Sequence, residues 1–235
     1  MRTAIKILAT SFAALALALT TTGAASPTAP APGTDWTSGD SRADVRQLTH
    51  ADAATLQHQV DEQLRTTRGG TQISANEVSY RGGSLVVALP LPGRATAPDS
   101  SAAVRTKAAD TKAAGTDAVA IPNGVYSLHG CEAGAADDRW YCFYQDANFG
   151  GRRLQWNLSH CNVQRNDFLD FTAYGFARQV SSWVNTSALM IWAFDGNWNQ
   201  LWYEAPANPP SGYHDTESSY VGNAYNDMAY YAESC

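Results

Sequence analysis

Apolar positions along this chain follow two rhythms, and the change from one to the other marks out its parts. Ala53, Leu56, Val60 and Leu64 fall on one stripe at helical spacing. Thr49 is a fitting cap, Asp52 suits the first turn, and Gly69-Gly70 stops the pattern, so a helix is expected there. Beyond it the period is two. Val78 and Tyr80, then Leu85, Val87 and Leu89, flank Gly82-Gly83 and predict a hairpin that Pro90 and Pro92 end. Further on, Cys142 and Tyr144 alternate with Phe143 and Gln145, and Asp146-Ala-Asn is turn chemistry. Gly150-Gly151 lets the backbone take positive φ, and Arg152, Leu154 and Trp156 run out along a second strand. More strands are expected at Val180–Val184, Leu189–Phe194, Leu201–Tyr203 and near Met228–Ala232.

Short strands separated by Gly, Asn, Asp and Pro point to an all-β sandwich or barrel. A weak repeat supports two related halves. Tyr144-Gln-Asp-Ala-Asn resembles Phe194-Asp-Gly-Asn about 50 residues on, and Phe176–Trp183 has a counterpart around Tyr225–Tyr230. The helix-plus-hairpin region 49–92 is too small to bury much surface alone and is marginal unless it docks on something. Two readings stand: a pro-region that assists folding or masks the mature surface, or a small accessory subdomain. Residues 26–48 are Pro, Ala, Thr, Gly and Ser with scattered charge and read as disordered. Residues 93–120 lack large apolar groups and read as a linker, with Arg105, Lys107 and Lys112 as plausible cleavage points.

Residues 1–25 combine a basic start, the apolar run Ile7–Leu19 and the small-residue exit Thr22-Gly-Ala-Ala25. That is the pattern of a secretory signal peptide, and the run is short for a membrane anchor. An exported, extracellular protein is therefore expected. In that setting Cys131, Cys142, Cys161 and Cys235 imply disulfides before metal. Zinc needs closely spaced Cys or His pairs, which are missing. Three pairings exist. Cys131–Cys142 with Cys161–Cys235 is favoured, because each bond ties an end of the domain to its body.

Of the 25 aromatic residues, 22 lie between Tyr126 and Cys235. From Ile121 onward twelve acidic residues face five arginines and no lysine, a formal charge of −7. The compact part is thus an acidic, aromatic-rich domain over 121–235. Such a surface excludes nucleic acid and anionic membranes as partners, and a monomer is expected.

The hairpin Tyr141-Cys-Phe-Tyr-Gln-Asp-Ala-Asn-Phe-Gly-Gly-Arg-Arg-Leu-Gln-Trp156 carries Tyr144-x4-Phe149-x-Gly151, and Ser181-Ser182-Trp183 follows about thirty residues later. This pattern resembles the Greek-key motif of the βγ-crystallin fold. With Tyr174-Gly-Phe176 and Ser181-Ser-Trp-Val-Asn185 it is similar to peptidase inhibitor family I36, a group of exported actinobacterial proteins. The upstream helix and hairpin also resemble the leader region of such proteins. The resemblance implies a βγ-crystallin-like double Greek-key domain that inhibits secreted metalloproteases of the thermolysin type, with no catalytic residues of its own. It implies a rigid loop offered to the protease cleft, where preorganisation lowers the entropic cost of binding. In the family's characterised inhibitor that loop is disulfide-closed and contains a Cys-Val bond. The nearest stretch here is Cys161-Asn162-Val163, with no close partner cysteine following, so no reactive loop is assigned and Cys161 reads as structural.

The fold also implies a possible Ca²⁺ site, built from an acidic or amide pair, two spacers and then Ser/Thr-Ser. The first copy, Ala177-Arg-Gln-Val-Ser-Ser182, keeps the serines, and the second, Asn226-Asp-Met-Ala-Tyr-Tyr231, keeps the pair. Ser181, Asn226 and Asp227 can therefore pool into one residual site, against which Arg178 sets a positive charge. Without calcium the chain needs no cofactor. No HExxH, GxSxG, GxGxxG or P-loop pattern occurs. The tryptophans at 156, 183, 192, 198 and 202 offer a sugar-stacking platform as an alternative to core packing. In that alternative Trp183 reads as core and Trp198, in Gly196-Asn-Trp-Asn199, as the exposed ring.

Overall fold

Thr49 opens helix α1 (His50–Thr66) as a reciprocal cap: its Oγ accepts from the Asp52 amide at 3.1 Å and donates to the Asp52 carboxylate at 2.7 Å. The helix buries Leu56, Val60 and Gln63, a stripe at spacings of four and three, and the chain leaves it through Gly69 at φ 80°. The computed structural model describes residues 47–100, 126–133, 140–157, 160–161, 168–206 and 216–235. The expected signal peptide, nearly all of the 26–48 segment, the linker beyond residue 100 and Asn162-Val163 lie outside the described residues.

Three strands follow the helix: β1 (Thr71–Ser74), β2 (Glu77–Tyr80) and β3 (Leu85–Ala88). Then come β4 (Tyr126–Leu128), β5 (Cys131–Ala133), β6 (Tyr141–Asp146), β7 (Gly150–Trp156), β8 (Leu169–Asp170) and β9 (Ser182–Asn185). The last are β10 (Ile191–Phe194), β11 (Gln200–Glu204), β12 (Thr216–Ser218) and β13 (Tyr231–Ser234). They make a seven-stranded sheet in the order β1-β2-β3-β7-β6-β9-β12, a four-stranded sheet in the order β11-β10-β13-β8, and the β4-β5 hairpin, all antiparallel within their ladders. The protein is mostly β with two main antiparallel sheets and one described helix.

Two quartets have the same internal order: β7-β6-β9-β12 and β11-β10-β13-β8. Taken in chain order, as β6-β7-β8-β9 and β10-β11-β12-β13, each set opens with a hairpin, pairs its fourth strand with its first, and places its third strand in the other set's sheet. The backbone repeats the relation at 49 residues. Arg178 and Asp227 both have positive φ, 57° and 58°, and bond reciprocally across the junction, Arg178 N to Ala229 O at 2.8 Å and Asp227 N to Val180 O at 3.2 Å.

Period-two alternation sorts β6 between two cores. Tyr141 and Phe143 join Leu154, Trp156, Phe171, Phe176 and Ile191 in the main core, while Cys142 and Tyr144 join Cys131, Trp140, Phe149 and Val184 in a second one. The cystines form as favoured from the sequence: Cys131–Cys142 sits in that second core, and Cys161–Cys235 closes the longer loop.

Several boundaries differ from the sequence reading, among them β9, which starts at Ser182 rather than Val180, and β10, which starts at Ile191 rather than Leu189. The last strand begins at Tyr231 rather than Met228, because Asp227 turns left-handed and Met228 is exposed. Region 49–92 docks on the strands that follow it. Leu85, Val86, Val87 and Ala88 pair with Trp156, Gln155, Leu154 and Arg153, so β3 is an interior strand of the long sheet. All described residues fall in one compact unit, Trp36–Cys235. The start of the expected linker is also packed: Ala97 and Ser100 are buried, since small side chains fit against the Arg153 guanidinium and Gly130.

Candidate functional site

The β6–β7 hairpin folds over itself because its loop runs left-handed at Asn148 (φ 55°), Phe149 (φ 60°) and Gly151 (φ 69°). At Gly151 a Cβ would stand 2.8 Å from both Asp146 Oδ2 and Gln145 Cβ, so only glycine fits without displacement. The Tyr144 ring covers the fold edge-on to Phe149, with centroids 5.5 Å apart. Its hydroxyl donates to His129 O at 3.1 Å, and burial pushes its ionisation well above the ordinary phenol range. His129 stacks on the Phe149 ring, with centroids 3.6 Å apart.

Ser181 and Ser182 pin this loop. Ser182 Oγ accepts from the buried Phe149 amide at 3.1 Å and donates to Asp146 O at 2.7 Å, while Ser181 Oγ donates to Gln145 O at 2.8 Å. The structure thus brings Tyr144, Phe149, Gly151, Ser181 and Ser182 into one assembly. Trp183 points away from it, half-buried against the main core.

In the second half Asp195, Asn197 and Trp198 take the places of Asp146, Asn148 and Phe149, and Trp198 repeats the left-handed turn at φ 65°. Tyr230-Tyr231 replaces the two serines. Without the serine pins, the Asp195 carboxylate accepts from the Asn197 and Asn199 amides at 2.8 and 2.9 Å, and Trp198 stacks on Tyr231 at 4.4 Å and meets Phe168 edge-on at 4.8 Å. Trp198 is 39 % exposed, as expected, but one ring face is already covered.

An open cleft of about 410 Å³ runs beside the first loop, lined by Gln145, Asp146, Ala147, Arg178, Gln179, Ser181, Tyr220, Asn226 and Asp227. Ser181, Asn226 and Asp227, the three residues expected to pool for Ca²⁺, all line this cleft. Asn226 Nδ2 donates to Asp227 Oδ2 at 2.7 Å, and Asn226 Oδ1 is buried with no partner. Ser181 Oγ spends its proton on Gln145 O, which leaves its lone pairs available. Arg178 brings an opposing cation into the same cleft. No cluster of three or more His, Cys, Asp or Glu suited to a metal occurs among the described residues.

Two arginines, one half-buried and one fully buried, escaped the sequence reading. Arg152 donates to Gln63 Oε1 at 2.9 Å, Gly175 O at 2.8 Å, Gln145 Oε1 at 3.1 Å and Gln179 Oε1, so it ties the helix to the wall of the cleft. Arg153 is fully buried, donating to Gln155 Oε1 at 2.8 Å and Ala97 O at 3.4 Å, and desolvation lowers its pKa. An Arg-Arg pair in a hairpin reads locally as solvent-facing charge. Only the neighbouring run of apolar residues in β3 hints at cover.

No described helix is long and apolar enough to cross a membrane. No curated protein and no solved structure matches the chain. Residues 132–205, which run from β5 through β11 and contain the folded hairpin and its serine pins, match the model of peptidase inhibitor family I36, a family of inhibitors rather than enzymes.

Proposed function

We propose that this chain is a secreted inhibitor of thermolysin-like extracellular metalloproteases, and that it acts by presenting a rigid surface of a βγ-crystallin-like double Greek-key domain. The family match over 132–205 carries the inhibitory reading. The crystallin-like reading is supported by the exchange of β8 and β12 between two chain-consecutive sets of four strands, β6–β9 and β10–β13, and by the 49-residue repeat of left-handed turns. Rigidity is supported by two cystines, the serine-pinned loop and the Arg152 bridge. A surface fixed in this way loses little conformational entropy on docking and resists being drawn into a cleavable conformation. Export is supported by the signal pattern in 1–25 and by two cystines, which persist in oxidising compartments.

The test is titration of the full chain from residue 26 against a panel of secreted metallo- and serine proteases. Activity of a thermolysin-like enzyme should fall linearly with added protein and reach its floor near equimolar ratio. Unchanged activity of every metalloprotease at large molar excess would refute the reading. A second reading is a structural module that takes one Ca²⁺ on Ser181, Asn226 and Asp227, favoured by the unpartnered Asn226 Oδ1 and opposed by Arg178. It predicts no inhibition and a melting temperature that rises in millimolar Ca²⁺.

A further inference from the structure

We propose that residues 47–100 are a strand-donating complement which the family-matched segment needs in order to fold, and that they stay bound to it if the chain is cut within 101–125. This inference stands apart from the inhibitory reading.

The edge strand of each quartet shows why. β11 ends its sheet and looks like an edge, with Gln200 and Tyr203 exposed and only Glu204 buried. β7 occupies the same place in the other quartet, yet six of its seven residues are buried. It is built as an interior strand, and β3 is what makes it interior. Removing the N-terminal region would strip four register pairs from β7 and leave a seven-residue edge, buried at six positions in the intact chain, open to pairing with other chains.

The donated segment also fills both cores. Leu56, Val60, Val78, Leu85 and Val87 pack in the main core with Phe143, Leu154 and Trp156, while Val86 packs in the second with Cys142 and Tyr144. Polar groups cross the same boundary. Gln63 donates to Tyr174 O at 3.1 Å and accepts from Arg152. Ala97 O accepts from buried Arg153, and Ser100 donates to Gln155 Oε1 at 2.9 Å and Gly130 O at 3.2 Å. Ala95 O takes the Gly151 amide at 2.7 Å, so the strap after β3 completes the hydrogen bonding of the folded hairpin itself. Without residues 95–100 the Arg153 guanidinium loses the Ala97 carbonyl and the Gly151 amide loses the Ala95 carbonyl as acceptors.

The partner that fits the β7 edge is therefore this chain's own 71–88 hairpin, docked by strand addition. Scission in 101–125 would convert one chain into a tight two-chain complex rather than release a mature domain.

The experiment replaces residues 108–113 of the full chain with a specific protease site, cleaves the folded protein and confirms two fragments on a denaturing gel. Native gel filtration should give one species of undivided mass, with a melting temperature close to that of the uncut protein. After separation in urea, the C-terminal fragment should fail to recover a monomeric, cooperatively melting state alone and recover it when the N-terminal fragment is added back. Separate elution of the fragments, or a C-terminal fragment that refolds alone to the original melting temperature, overturns the proposal.

Discussion

Val87→Ala tests whether the N-terminal hairpin belongs to the cooperative unit. Val87 is fully buried in β3, pairs with Leu154 of β7, and sits in the main core with Leu56, Phe143 and Trp156. The substitution deletes two methyl groups at a site walled by two strands and a helix. Such walls collapse only partly, so each group contributes about 0.5–1.5 kcal/mol and the whole change about 1–3 kcal/mol. For a chain of this size that corresponds to a fall of about 2–12 °C in melting temperature. Thermal unfolding followed by near-ultraviolet circular dichroism reads the environment of the core aromatics, almost all of which lie C-terminal to the substitution. A single transition shifted by that amount is expected. Thr71→Ala, at the exposed start of β1, should stay within about 0.5 kcal/mol of the parent. A Val87→Ala protein whose aromatic signal melts at the parental temperature would refute the reasoning, because β3 would then be an appendage that unfolds by itself.

Ser182→Ala leaves the buried Phe149 amide without its acceptor and should lower stability by about 1–3 kcal/mol, read as a lower urea midpoint at unchanged slope. Replacing Cys161 and Cys235 together by serine opens a loop of sequence separation 74 and should remove about 4 kcal/mol on the chain-entropy account, measured by denaturant melts. Glu204 is buried and its pKa is raised well above the ordinary carboxylate value by desolvation, with the Trp202 indole N–H opposing at 3.2 Å. The native state therefore holds a proton that the unfolded chain releases, so stability falls as pH rises from the ordinary carboxylate value toward the raised one. Glu204→Gln should flatten that decline in a series of melts across the window, and a slope identical to the parent's would remove Glu204 as its source.

What the sequence displayed was local. The β6–β7 hairpin was legible because Asp146-Ala-Asn and Gly150-Gly151 are turn chemistry between alternating strands, and α1 because Thr49 and Asp52 mark its start. The motif residues Tyr144, Phe149, Gly151, Ser181 and Ser182 were legible as a set, and the structure assembles them. Partners were not legible. Alternation in Leu85, Val87 and Leu89 says strand, but nothing in it says that β7 lies alongside. The unbroken Leu85-Val-Val-Ala88 run, buried at all four positions, was the available sign of an interior strand. The strands β8 and β12 have two and three residues, too short for any period to show. Ala97 and Ser100 looked like linker for the same reason that they pack: small side chains lie close over a buried guanidinium. The cleft shared by Ser181, Asn226 and Asp227 was legible only through the repeat, since residues 45 and 46 positions apart line it together.

The most direct measurement of the continuous sheet is native-state hydrogen exchange, resolved by residue, on the intact chain. The account predicts that the amides of Leu85–Ala88 are protected to the same degree as those of Tyr141–Tyr144 and Leu154–Trp156, opening only with global unfolding. Exchange of the Leu85–Ala88 amides orders of magnitude faster than those of β6, in the same sample, would contradict it.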